Sequence, residues 1–386
     1  RADVSAVFLR MGFLMRRALW LIGLLVLGGC RSLQVPVGAL VSPEEATWTV
    51  PPPLVVRWRR DVEAAPARAL VAGRILLVTN HKGDVHAFAL PEGRRHGVLD
   101  ASRDLTGPPA HRKSLLLVPV ALGDVSVVAY DLYRRRTVWR RTGDGAEAGP
   151  VLDDEVVYVA ERWGRVYALD VEDGRVRWAQ EPEATGLDGV RARPVRVGEL
   201  LVVADKRGRV VALEARTGRL RWQRQLSPVY ADLATADGRV LVPTTRGRLV
   251  ALEAASGATA WTLALPDTSV HLTTPVIASP TVYVAGGDGV VRALTLRTGM
   301  VRWTWTGRTA IVATPVVDTT AGVLYMGDLR GRLVALELTN GHLRWETRLE
   351  DGVLELIGSP FGLIALTRPR HVYLLQSDHE PVASRP

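Results

Sequence analysis

Apolar residues along this chain fall in short runs separated by glycine-containing turns. The runs at 156–159, 200–203, 282–284 and 323–326 are rich in β-branched and aromatic residues, and each predicts a strand. Upstream of each lies a second run, opened by Pro150, Pro194, Pro275 and Pro315 respectively. Downstream comes a third run of the form Val-x-Ala-Leu, and then one ending on tryptophan. Turns such as Asp237-Gly238 and Arg246-Gly247 join them, glycine supplying the positive φ that tight hairpins need.

The pattern is periodic. The segment from Gly208 to Trp222 recurs at 164–178, 247–261, 289–303 and 331–345, and a degraded copy ends at Trp139. Another copy begins at Gly83 and has Gly97 where the tryptophan should stand. The unit ends at 58, 97, 139, 178, 222, 261, 303 and 345 are spaced by 39, 42, 39, 44, 39, 42 and 42 residues. Eight four-stranded units of about this length predict an all-β fold, an eight-bladed β-propeller of antiparallel blades. After Trp345 the chain holds three strand-like runs and no tryptophan strand, whereas residues 54–58 supply one without its companions. The N-terminal strand is therefore expected to complete the eighth blade and close the ring, which removes two sheet edges. The tryptophans Trp58, Trp139, Trp178, Trp222, Trp261, Trp303 and Trp345 occupy one equivalent position and are expected to dock blade against blade. Trp48, Trp163 and Trp305 fall outside that pattern, and Trp163, in a hairpin turn, is the candidate exposed functional aromatic.

The N-terminus has a different character. Arg10, Arg16 and Arg17 precede an apolar stretch at 18–27, then Gly28-Gly29 and Cys30, the one cysteine in the sequence. The stretch is too short to span a bilayer and follows a basic region, so residues 1–29 are expected to be a cleaved signal peptide. Leu27-Gly28-Gly29-Cys30 resembles a bacterial lipobox, which implies diacylglycerol on Cys30 and, with Arg31 rather than aspartate next, an outer-membrane address. Residues 30–53 carry Pro36, Pro43 and three consecutive prolines at 51–53, and are expected to form an extended tether. The propeller then occupies 54–375 and a disordered tail 376–386. A lone cysteine excludes disulfides and a cysteine-based metal site. The net charge of +9 loses four arginines and one aspartate with the signal, leaving +6. Only Lys82, Lys113 and Lys206 are lysines among the 49 basic residues, a bias of composition that does not point to nucleic acid.

The repeat Ala-Leu-(x)3-Thr-Gly-(x)3-Trp, matched closely in five units, resembles the docking motif of PQQ-like, quinoprotein-type propellers over residues 54–375. With its lipobox and tether the chain resembles, within that superfamily, the BamB family of lipoproteins. That resemblance implies a non-enzymatic scaffold without cofactor, monomeric within a hetero-complex. It implies a place on the periplasmic face of the outer membrane, where the scaffold binds the periplasmic domains of the barrel-forming subunit. The quinoprotein dehydrogenases share the repeat, and for them it implies an aspartate base, Ca²⁺ on carboxylate and amide oxygens, and often adjacent cysteines. Here the only cysteine is Cys30 and the only asparagines are Asn80 and Asn340, so no cofactor and no metal are expected. A PQQ-dependent oxidoreductase, a ligand-binding propeller and an envelope scaffold outside barrel assembly remain the alternatives.

Turns between the second and third strands lie on the same face as the connections between blades. Those turns are basic, with Lys82, Arg162, Arg165, Lys206, Arg207, Arg209, Arg246, Arg248, Arg330, Arg332, Arg368 and Arg370, and only the turns with Asp124 and Asp288 break the ring. The longest interval places residues 181–193 between blades. Leu187, Val190, Arg191 and Arg193 in that connection are the expected docking element, joined by Arg207, Arg209, Arg246 and Arg248 from the adjacent turns.

Overall fold

In the computed structural model the described residues are 33, 35, 36, 38–40, 48–101 and 104–378, all within one compact unit, Leu33–Pro386. The expected signal segment and Cys30 lie outside them. Eight antiparallel sheets of four strands follow one another along the chain. Blades 1 to 7 span 66–100, 110–142, 151–180, 195–225, 234–264, 276–306 and 316–348. Blade 8 takes its first three strands from 353–377 and its outer strand from Leu54–Asp61, which pairs antiparallel with His371–Ser377 from Leu54↔Ser377 to Asp61↔His371. The ring is thus closed by the N-terminal strand as the sequence predicts. That last strand runs through Gln376 and Ser377, two residues into the expected tail. The one helix among the described residues is the single turn Pro182–Thr185.

The hydrophobic core is a set of layers between blades. Each repeated residue has a place in it. The alanine of Val-x-Ala-Leu stands opposite the tryptophan of the outer strand, as in Ala168↔Trp178, Ala212↔Trp222 and Ala251↔Trp261, and the register shifts by a bulge just after it. A small residue there leaves the indole free to reach the next blade. Trp178 donates its indole N–H to the Ala215 carbonyl at 2.8 Å, Trp222 to Ala254 at 2.8 Å and Trp261 to Leu296 at 2.9 Å. The rings then cover the glycine of the next blade's Thr-Gly or equivalent turn. A methyl on Gly174, Gly218, Gly257, Gly299 or Gly341 would stand within 2.7 Å of the tryptophan of the preceding blade.

Two junctions break the rule, and both are filled by the N-terminal segment. Between blades 1 and 2 the tryptophan is missing at Gly97, and the glycine it would cover is replaced by Arg135, held at φ 54°. Leu33, Val35 and Leu40 are buried in this junction with Ile75, Tyr130 and Leu132. The Arg74 N–H donates to the Ala39 carbonyl at 2.7 Å, and the Gly38 N–H donates to the Tyr133 hydroxyl at 3.2 Å. Between blades 7 and 8, Trp345 meets no Thr-Gly turn, because the third and outer strands of blade 8 come from opposite ends of the chain. There Trp48 and Val50 join the core. The Val50 N–H donates to Asp318 Oδ2 at 2.6 Å, and the Tyr325 hydroxyl donates to the Val50 carbonyl. The described part of the expected tether therefore does not hang free. It packs on the propeller, because two junctions lack the side chains that seal the others.

Candidate functional site

Connections between blades share one face with the turns between second and third strands. The connection from blade 3 to blade 4 was expected to present Leu187 and Val190 as apolar anchors. Instead Leu187 is 2% exposed and Val190 fully buried, both in the core between blades 3 and 4. Backbone geometry explains the burial. After the one-turn helix the chain reverses at Gly186, in the left-handed region, and is laced to the turns on either side. The Gly189 N–H donates to the Arg162 carbonyl at 2.8 Å and the Asp188 N–H to Asp205 Oδ2 at 2.9 Å. Gly164 admits the chain so closely that a Cβ there would lie 2.1 Å from the Leu187 carbonyl oxygen. The 44-residue interval thus adds packing to the junction, not a protruding loop.

The arginines of the expected site divide. Arg193 is half-buried, its N–H donating to Asp232 Oδ1 at 2.8 Å. Burial pushes its guanidinium pKa down, opposed by Asp232. Arg209 is half-buried against Gly186 and donates to Gln223 Oε1 at 3.1 Å. Arg207 is exposed but paired with Asp188 at 2.6 Å. Arg246 and Arg248 are exposed and have no ion pair among the described residues. Much of the basic ring is neutralised in the same way, Arg165 by Glu181 at 2.7 Å, Arg370 by Asp61 at 2.9 Å, and Arg332 by Glu346.

Only Arg191 of the predicted connection keeps its expected exposure, and it organises a continuous surface path. Its guanidinium lies 2.6 Å from Glu147 and stacks over Tyr230 at 5.6 Å from the ring centroid. Glu147, whose side chain is only 12% exposed, also holds Arg162 at 3.0 Å. Arg162 in turn covers one side of Trp163 at 5.1 Å, and Lys206 approaches that ring at 5.4 Å. Trp163 is 48% exposed and Tyr230 45%. Two large aromatics are therefore presented to solvent with their rotamers fixed by cations, which lowers the entropy lost when a partner covers them. A cavity of about 480 Å³ opens beside Tyr230, edged by Arg68, His271, Asp288 and Val312. Trp163 was legible in the sequence as the aromatic outside the repeat. Tyr230 and Glu147 were not, since neither belongs to a motif and their partners come from other connections.

A family profile described as outer membrane protein assembly factor BamB matches residues 81–229 and again 227–353, well over half of the chain. The chain belongs to this family. Among solved structures, BamB from Moraxella catarrhalis matches with TM-score 0.69 and 16% identity over 84% of this chain and 99% of that one. The computationally designed Ika8 protein matches with TM-score 0.69 and 14% identity over 82% and 98%. A europium-containing methanol dehydrogenase matches with TM-score 0.64 and 13% identity over 84% and 93%. At these identities the likeness is one of fold. No curated protein matches the chain by sequence.

Calcium on carboxylate and amide oxygens, the feature that the shared repeat brought into consideration, would draw on the two asparagines, and both are committed elsewhere. Asn80 is buried, its Oδ1 accepting the N–H groups of Lys82 and Asp84 at 3.1 and 2.9 Å. Asn340 sits in an exposed turn and donates to Glu337 at 2.9 Å. Both amides serve turns. Among the described residues no three His, Cys, Asp or Glu side chains are grouped as a metal site.

Proposed function

We propose that this chain is a non-enzymatic, lipid-anchored scaffold on the periplasmic face of the outer membrane, where it supports insertion of β-barrel proteins by docking the periplasmic domains of the barrel-forming subunit. Membership of the BamB family over residues 81–353 is the observation that carries this reading. The path from Tyr230 through Arg191, Glu147 and Arg162 to Trp163 and Lys206 is the proposed docking surface. Aromatic and arginine side chains in such fixed positions are the residue types that dominate binding energy at protein interfaces. The lipid is assigned to Cys30.

The test is affinity capture from detergent extract followed by mass spectrometry. The wild-type chain is expected to retain the barrel-forming subunit. Replacing Trp163 and Tyr230 together by alanine is expected to lower its recovery by at least about tenfold, at unchanged circular dichroism, since each such anchor contributes roughly 1–2 kcal/mol or more. Recovery equal to wild type would remove the site. A quinone-dependent activity without any assembly subunit would remove the function.

A further inference from the structure

The face opposite the proposed docking surface carries the turns between first and second strands and between third and outer strands. Its charge is unevenly distributed. At blades 1 and 2 it presents Arg74, Arg94, Lys113, Arg134, Arg135 and Arg136, all exposed. Arg74 and Arg134 have acidic neighbours, Glu92 at 3.5 Å and Asp131 at 3.8 Å, while Arg94, Lys113, Arg135 and Arg136 have no ion pair among the described residues. The next blade exposes Asp154, Glu155, Glu172 and Asp173 on the same face, with Asp173 paired to Arg175 at 3.2 Å and Glu155 to Arg177 at 3.4 Å.

The basic sector also borders described residues of the N-terminal segment. Leu33 is fully buried in the junction between blades 1 and 2, and Val35 and Leu40 are packed beside it. Two crevices of about 560 and 550 Å³ flank Val35, Pro36 and Ala39, both edged by Arg94 and His96 and one also by Arg135. Leu33 follows Cys30 by three residues, a length of chain that reaches at most about 11 Å.

We propose that the basic sector of blades 1 and 2 is a membrane-facing surface that binds anionic phospholipid headgroups around the point where the chain departs toward its anchor. The orientation rests on lipidation of Cys30, whereas the headgroup affinity belongs to the protein surface alone. A reach of at most about 11 Å from Leu33 leaves no long spacer between the junction of blades 1 and 2 and the anchor. Arginines and a lysine that have no ion pair among the described residues meet phosphates of opposite charge there. A lipid chain combined with a basic patch is a two-signal attachment, stronger than either signal alone. The docking surface on the opposite face is then left pointing into the periplasm.

The experiment uses the chain from residue 30 onward, with Cys30→Ser so that no acyl chain contributes, and vesicles of phosphatidylcholine with or without phosphatidylglycerol. Co-sedimentation is expected only with phosphatidylglycerol and is expected to weaken as salt is raised. Arg94→Gln, Lys113→Gln and Arg135→Gln should each lower the affinity by about fivefold. Arg330→Gln and Arg368→Gln, in turns of the opposite face, should leave it unchanged. Binding that ignores phosphatidylglycerol, or that falls equally with both sets of variants, overturns the proposal. Palmitate labelling of the wild-type chain, lost in Cys30→Ser, reports the anchor separately, so failure of either part is recognised as its own.

Discussion

The ring of Trp178 lies so close to the backbone of Gly218 in the following blade that a methyl on that glycine would stand 2.5 Å from Cε3. Gly218 also sits at φ 74°, where an L side chain is strained. Gly218→Ala is therefore expected to destabilise the propeller by more than about 1 kcal/mol. Trp178→Ala removes the indole and its 2.8 Å hydrogen bond to Ala215, and is expected to cost about 3–5 kcal/mol. Because the two residues share one contact, the double variant should be less destabilised than the sum of the singles. Urea denaturation of all three chains checks this, and simple additivity would show that the ring and the glycine are not coupled.

The junction between blades 1 and 2 offers the converse change. Gly97→Trp with Arg135→Gly restores both halves of the docking pair where the chain lacks them. The new indole is expected to displace Leu33 and Val35 from the junction. Hydrogen exchange at the Arg74 amide, now bonded to the Ala39 carbonyl at 2.7 Å, should then quicken by about tenfold or more. Unchanged exchange would mean that the N-terminal segment does not stand in for the missing tryptophan.

Acid sensitivity is expected from His86. The ring is fully buried, with Nδ1 2.6 Å from the Arg95 guanidinium and Nε2 3.2 Å from the Asn80 amide nitrogen. Burial, and then Arg95, lower its pKa from 6.5 to about 4. Below pH 6.5 the unfolded chain takes up a proton that the native chain refuses, so stability falls with pH until about pH 4. The loss attributable to this residue is up to about 3 kcal/mol. Denaturation measured across that window should show a shallower acid slope in His86→Gln, and an identical slope would assign the effect elsewhere.

Glu161 should act in the opposite direction. Its side chain is fully buried, the Ser126 hydroxyl donates to Oε1 at 2.5 Å, and Oε2 has no hydrogen-bond partner among the described residues. Burial raises its pKa above 4.5, opposed by the Ser126 hydrogen bond and the arginines at 165 and 141, and reinforced by Asp144. The native state thus holds its proton more tightly than the unfolded chain. Stability from this group is complete below pH 4.5 and is lost as pH rises through the raised value. Glu161→Gln, which keeps the shape and removes the charge, is expected to be more stable than wild type at neutral and alkaline pH and no different near pH 4. A variant less stable at pH 8 would show that the carboxylate is stabilising in its ionised form.

The repeat was legible because it is local. Each blade is one unit in which alanine, glycine and tryptophan recur at fixed offsets, and the physical roles of those residues follow from their spacing. Closure was legible too, since three strands at one end and one at the other can form only one complete sheet. The docking surface was much less so. Leu187 and Val190 look like exposed anchors when a connection is judged by length and composition, yet Gly164 and Gly189 let that connection sink between two blades. Arg191 and Trp163 were singled out from the sequence, but their link through Glu147 to Tyr230 joins residues from four separate connections and turns.

From the sequence alone, then, come the eight blades, the strand that seals the ring, and the tryptophan positions, because backbone periodicity and hydrophobic pattern act within a few tens of residues. Tertiary structure decided which arginines have no ion pair among the described residues, where two aromatics reach solvent, and that Leu33, Val35 and Leu40, and Trp48 and Val50, fill two faulty junctions. Ion pairing and void filling depend on distances between residues far apart in the chain, which no local pattern encodes.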